Sequence, residues 1–353
     1  MNITRSRGAL SALTAAAVAL TFYTNAVAQT KTLYVGMNGG TIETAYTKFV
    51  FPTFERINDV KVVVVPGTSS DILAKAQANK ERPQMHLMLL DDGLMVRAID
   101  MGLCQKQRPS PAMKDIYPIA HFKDDMATAV SISMTGLGYN TKMFKEKGWA
   151  PPTSWMDMAD PKFKRRLVFP SITSSSFGLH GFLMFNRIQG GSEQNVEPGF
   201  AAWPKLVGPN MPVYIPNSAK IAEMVQAGDV ALFPTTPSTV AGLKNRGIPV
   251  DYAQPREGSV VLMVEQCVIA NNSEPELSQK LAEFMLSPLA QTVMLEFDNA
   301  VPTNTKAPVT GAGVIELVAS IKQWLKNAVV LDWAAVNANR PAWNARWSRT
   351  IER

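Results

Sequence analysis

The chain has 353 residues, 46% of them hydrophobic, with 35 Lys and Arg against 29 Asp and Glu and a formal charge of +6. That length exceeds what one compact core usually carries and predicts two lobes. The charge excess is mild, and its densest cluster, Lys162 to Arg166, has no interleaved aromatics. It reads as a solvated face, which argues against a nucleic-acid partner.

In chain order, residues 1–28 carry a short basic start with Arg5 and Arg7, an apolar stretch, and a small-x-small pattern at Ala26, Val27 and Ala28. That is the pattern of a secretory signal peptide cleaved after Ala28. Its removal takes two arginines, leaving 33 basic against 29 acidic residues. Downstream, no uninterrupted apolar run is long enough to span a bilayer. "KTLYVGMNGG" then reads as a strand and a Gly-rich turn at Asn38, Gly39 and Gly40. "VKVVVVPGTSS" is expected to be a strand buried on both faces, followed by a helix capped by Ser69 or Ser70. "HLMLLDDG" gives a third strand ending at Asp91 and Asp92, before another helix. One aspartate is expected to cap that helix while the other faces a cleft, adjacent residues at a strand end pointing in different directions. Three repeats of strand, turn and helix predict an α/β fold with largely parallel sheets.

"ATAVSISMTGLGYNTKMF" is a long β-prone run broken at Gly136 and Gly138, expected to cross into a second lobe. "RLVFP" is a buried strand, and the hydroxyl run Thr173, Ser174, Ser175 and Ser176 follows it at a helix start. There one hydroxyl is expected to cap the helix and the others to hydrogen-bond a bound polar group, because helix N-termini in open α/β sheets gather unpaired N–H groups. Capping alone is the blander alternative. The strand in "GDVALFPTTPSTVAGLKNRG" ends at Thr235 and Thr236, and "SVVLMVEQCVIANN" is the return crossing with Glu265. "PELSQKLAEFMLSPLAQTVMLEF" is a helical pair, "NAVPTNTK" a loop, and the rest of the chain to Arg353 helical. Three tryptophans there, Trp333, Trp343 and Trp347, are expected to brace those helices against a lobe.

Nothing points to catalysis. The three histidines, His86, His121 and His180, have no metal-ligand spacing, and no nucleophile elbow or phosphate loop occurs. His86 is expected to be a satisfied core residue. His180 lies four residues after Ser176, a spacing common by chance on helices. No cofactor and no metal site is expected. Cys104 and Cys267, the only cysteines, either form one disulfide or stay buried thiols.

The stretches "TGLGYNTKMFKEKGWAPPTSWMDMADPKFKRRLVFPSITSS", "MVQAGDVAL" and "LSPLAQTVMLEFDNAVPTN" resemble the solute-binding proteins of bacterial ABC importers. The likeness is to the branch of polyamine, ferric-iron, thiamine and aminophosphonate binders, with Arg166 where the family usually has glycine. It implies a type II-like two-lobed periplasmic-binding-protein fold with two crossing strands as hinge. The lobes would divide as residues 29–135, 136–262 and 263–305, with bracing helices over 306–353. It implies a small-molecule ligand held between the lobes, ABC permease transmembrane subunits as partner, a monomer, and the periplasm. Met263 stands where polyamine binders carry Trp, while Glu265 keeps their acid, and no Tyr-Tyr pair offers an iron site. Thr68, Ser69, Ser70, Thr173 to Ser175, Asn217, Ser218, Thr235 and Thr236 offer hydroxyl, amide and helix-start groups for an acidic group, as do Asn38 to Gly40. Glu265 with Asp91 or Asp92 would meet an ammonium group, unless Glu265 pairs with a lysine. A small zwitterion or amine is therefore the expected ligand. Polyamine or ferric-iron binding, and a receptor feeding a sensor protein, are the alternatives.

Overall fold

The computed structural model describes residues 30–215 and 219–352; the expected signal peptide, Asn217 and Ser218 lie outside them. The first lobe opens with β1 (Lys31–Met37), α1 (Thr41–Ala45), a π-helical turn at Tyr46–Val50, and α2 (Phe51–Asn58). β2 (Val60–Pro66), α3 (Ser69–Ala78), β3 (Leu87–Asp91) and α4 (Asp92–Asp100) follow, then the short β4 (Cys104–Gln105), α5 (Pro111–Lys114) and β5 (His121–Phe122). β1 pairs in parallel with both β2 and β3. β2 ends the order β10-β6-β11-β3-β1-β2 and alternates buried and open positions, so its valine run is a half-solvated edge. Unbroken valines therefore misled the expectation of two-sided burial: β-branched residues also suit an edge, where only one face meets the core.

β6 (Ala127–Asn140) is one continuous strand. Gly136 and Gly138 do not break it. A Cβ at Gly136 would lie 2.7 Å from Tyr252 Cζ and 2.9 Å from Ser259 Oγ, so glycine is needed there for close packing. Met134 belongs to the first lobe's core and Leu137 to the second's. The second lobe holds α6 (Thr141–Lys147), β7 (Phe169–Pro170), α7 (Ser176–Ile188), α8 (Glu197–Leu206), β8 (Tyr214–Ile215), α9 (Ala219–Gln226), β9 (Leu232–Thr235), α10 (Pro237–Asn245) and β10 (Val250–Ala253). β7 and β8 are parallel, whereas β9 and β10 pair antiparallel with β6. The sheets are thus mixed: β1 with β2 and β3, β7 with β8, and β11 (Ser259–Ile269) with the short β12 (Ala328–Val329) pair in parallel, and the other pairings of the crossing strands are antiparallel.

β11 (Ser259–Ile269) returns antiparallel to β6 and β3, with a bulge against β6 between Val264 and Glu265. α11 (Pro275–Met285) and α12 (Pro288–Asp298) form the expected pair, and α13 (Ala312–Trp324) follows. The tail is not wholly helical: β12 (Ala328–Val329) joins β11 before α14 (Trp333–Thr350). Trp347 is fully buried among Phe169, Phe182 and Trp203, and Trp343 belongs to the same core. Cys104 and Cys267 are joined by a disulfide, with Cα atoms 5.7 Å apart, where β4 pairs with β11.

Candidate functional site

Four helices begin near one junction of the two lobes: α3, α4, α7 and α14. Each start concentrates unpaired N–H groups and the positive end of a helix dipole. At α3 the cap is Thr68, in a capping box with Asp71, and not Ser69 or Ser70. That frees Ser69, which is buried and whose Oγ accepts from the Asp91 amide at 3.3 Å. Ser70 is exposed. At α4, Asp91 is the N-cap by position, but its side chain makes no capping bond. Its Oδ2 instead accepts from Ser176 Oγ at 2.6 Å, a bond from the first turn of α7 in the second lobe to the first lobe.

Behind Asp91 lie two more carboxylates. Asp92 is buried and accepts from the Gly93 amide at 3.1 Å. Glu265 is fully buried in β11, directly across from Leu90 of β3, and neither of its carboxylate oxygens has a hydrogen-bond partner. Burial pushes the pKa of all three acids up. Mutual repulsion raises Asp92 and Glu265 further, while Ser176, Arg340 and Ser69 oppose the rise at Asp91. The two aspartates therefore do not point into separate environments as expected of strand neighbours. The chain turns from strand into helix between them, and both face the same charge cluster. No lysine pairs with Glu265; the cation present is Arg340 of α14, acting on Asp91.

α14 also brings Trp333, which packs on Gly93 and lies near enough to Asp92 to oppose part of its pKa rise. Asn337 Nδ2 donates to the Gly93 carbonyl at 2.8 Å. His180 of α7 is completely buried, its Nδ1 2.8 Å from Thr135 Oγ1 and its Nε2 without a partner. Burial and Arg340 hold its pKa down at about 3, so it is neutral. It does not touch Ser176 as a catalytic base would, since Ser176 is engaged with Asp91.

The hydroxyl run is organised by Ser171, which the sequence reading passed over: its Oγ accepts from the Thr173 amide at 3.2 Å and lies 2.7 Å from Thr173 Oγ1. Ser175 is the α7 N-cap by position only, with no side-chain capping bond, so the expected capping role fails there. Thr173 and Ser174 line a recess of about 730 Å³ with Tyr214, Ile215 and Glu352, apart from the carboxylates. Thr236 caps α10 through the Thr239 amide at 3.2 Å, and the Thr235 hydroxyl is buried without a partner. Asn38 to Gly40 form the open turn after β1, half-buried to exposed. The structure therefore brings together Ser69, Asp91, Asp92 and Glu265, and adds Ser176, His180, Trp333 and Arg340. Ser176 was visible in the hydroxyl run. Arg340 and Trp333 arrive from over two hundred residues away and carry no local signal. His86 is satisfied, its Nδ1 accepting from the Tyr34 amide and its Nε2 lying 3.2 Å from Ser273 Oγ. Among the described residues no His, Cys, Asp or Glu group is arranged to hold a metal ion.

Residues 50–323 match the family model described as bacterial extracellular solute-binding protein. The thiamine-binding periplasmic protein of Escherichia coli is 27% identical over 213 residues, 59% of this chain and 60% of that protein. The chain thus aligns with somewhat under two thirds of that relative. The fold is shared with the periplasmic binding protein AfuA of Actinobacillus pleuropneumoniae, solved with fructose-6-phosphate bound (TM-score 0.74, 21% identity, 91% of this chain and 98% of that one). Iron-bound HitA of Pseudomonas aeruginosa matches similarly (TM-score 0.73, 17% identity, 90% and 98%).

Proposed function

This chain belongs to the bacterial extracellular solute-binding protein family, and we propose that it is the periplasmic capture component of an ABC importer whose ligand carries an organic cation. The observation that carries the ligand class is the charge balance at the lobe junction. Three carboxylates, Asp91, Asp92 and Glu265, face one guanidinium, Arg340, beside a neutral His180. Half-buried Asp91 offers that charge at the surface of the junction, with Asp92 and Glu265 behind it. A primary amine, a zwitterion or an aromatic cation would complete the balance, and thiamine, named for the curated relative, is such a cation. An oxyanion is disfavoured at this junction because the Asp91 carboxyl already occupies the Ser176 hydroxyl and stands beside two further acids.

The ligand enters between lobes, the crossing strands β6 and β11 flex, and contacts to both lobes hold the closed form. We place the lobe boundaries after residues 135 and 262; Met134 with Met263 and Leu137 with Val260, packed in separate cores, support that division, while Val261 packs with the first core. The mature chain, cleaved after Ala28, docks as a monomer on permease subunits and performs no chemistry itself.

A thermal-shift screen of the mature protein tests this, with thiamine, putrescine, glycine betaine, fructose-6-phosphate and ferric citrate as probes. A bound ligand at 100 times its Kd should stabilise the fold by about 2.7 kcal/mol. A shift with a cationic probe, lost in Asp91→Asn, is expected. A shift confined to fructose-6-phosphate or ferric citrate would overturn the cationic reading.

A further inference from the structure

Glu265 is an unusual hinge residue. It sits in a crossing strand, beside the bulge where β11 slips against β6, with both carboxylate oxygens sealed from solvent and unpartnered. Asp92, two residues beyond its cross-strand neighbour Leu90, is buried too. An ionised carboxylate without hydrogen bonds in such a place is costly, and two together more so. Every element packed here contributes to the balance: Asp91, Asp92 and Arg97 from the start and end of α4, Glu265 from β11, His180 from α7, and Arg340 from α14. Arg340 acts on Asp91 and is itself repelled by Arg97, while His180 is neutral. Neither arginine acts on Asp92 or Glu265.

We propose that Asp92 and Glu265 are a proton-operated catch on the hinge: closing the lobes takes a proton from solvent into the pair, and opening returns it. Contacts beside the pair span both lobes: the Ser176 to Asp91 hydrogen bond, and α14, whose Trp333 and Asn337 meet Gly93 next to Asp92 while Trp347 sits in the second lobe's core. Separating the lobes parts those contacts, lets water reach the carboxylates and restores ordinary acidity. The burial-raised pKa values of both acids agree in direction. The sign follows: the closed form is favoured at acid pH and loses ground as pH rises through the closed-state titration. This rests on the two-lobed fold and not on the nature of the ligand.

The test uses the ligand-free mature chain with its disulfide intact, spin-labelled at Ile57→Cys in the first lobe and Leu206→Cys in the second, both exposed. Inter-label distances are measured by pulsed electron resonance at pH 5 and pH 8.5. The short-distance population should be several-fold larger at pH 5, and Asp92→Asn/Glu265→Gln should show the same population at both values. Should the double variant fold poorly, Glu265→Gln alone is compared for the infrared C=O band of a protonated carboxyl at pH 7. The wild type should show that band and the variant should lose it. A wild-type distance distribution indifferent to pH, a variant that keeps the pH response, or no carboxyl band in the wild type would each overturn the proposal. Because no ligand is present, none of these results depends on whether the cargo is a cation.

Discussion

Gly93→Ala probes the coupling between the C-terminal helix and the hinge acids. A Cβ at position 93 would overlap the six-membered ring of Trp333, with even Cη2 only 2.8 Å away. Carbon atoms prefer about 3.5–4.0 Å, so the ring or α4 must retreat by roughly 1 Å. Neither yields freely. Trp333 is nearly buried, and Asn337 ties α14 to the Gly93 carbonyl at 2.8 Å. Overpacking of this kind costs about 1–3 kcal/mol. Urea unfolding followed by far-UV circular dichroism reads the loss. The decisive arm is a double-mutant cycle with Trp333→Ala, which removes the atoms struck. Gly93→Ala should be nearly neutral in that background. A loss in wild type below about 0.5 kcal/mol, or an equal loss without the ring, would refute the overlap as cause.

The Cys104–Cys267 disulfide spans 163 residues of chain, for which loop-closure entropy gives about 5 kcal/mol of stabilisation. Cys104→Ala/Cys267→Ala should lose about 2–5 kcal/mol in urea, and a loss under about 1 kcal/mol would mean the bridge constrains little. His180 has its pKa depressed from 6.5 to about 3, so its contribution is fully present above pH 6.5 and is lost as pH falls toward 3. The slope is about 1.4 kcal/mol per pH unit, which His180→Gln should remove from the acid limb of the stability curve. A His180 imidazole NMR resonance, assigned by its absence in His180→Gln, that titrates between pH 5 and 8 would contradict the burial argument.

Element order was legible because many helices begin with a hydroxyl residue or Pro, as α3, α10 and α12 do, although α4 and α14 begin at aspartates and α13 at Gly311. Caps were less legible: Thr68 and Ser69 are equally good capping residues by type, and Asp71, three residues after Thr68, settles the matter through a reciprocal bond. The two-sided burial read into Val60–Pro66 failed because sheet position is a long-range property. Similarly, adjacent aspartates diverge only while the chain stays extended, and here it turns helical between them. Arg340 and Trp333 were illegible as site residues. Their partners lie in α4, and only tertiary docking of α14 makes them neighbours.

The convergence of helix starts explains why the acids are tolerated there and also limits what they can bind. A helix N-terminus carries about half a positive charge, which stabilises a nearby anion by a few tenths to about 2 kcal/mol when partly buried. Asp91, with Ser176 and Arg340 besides, draws on that field and is the member best suited to stay ionised. Asp92 and Glu265 have weaker compensation, one from the α4 start and Trp333, the other from no hydrogen bond at all. Their charge must be met by a proton or by a cation drawn close to the junction.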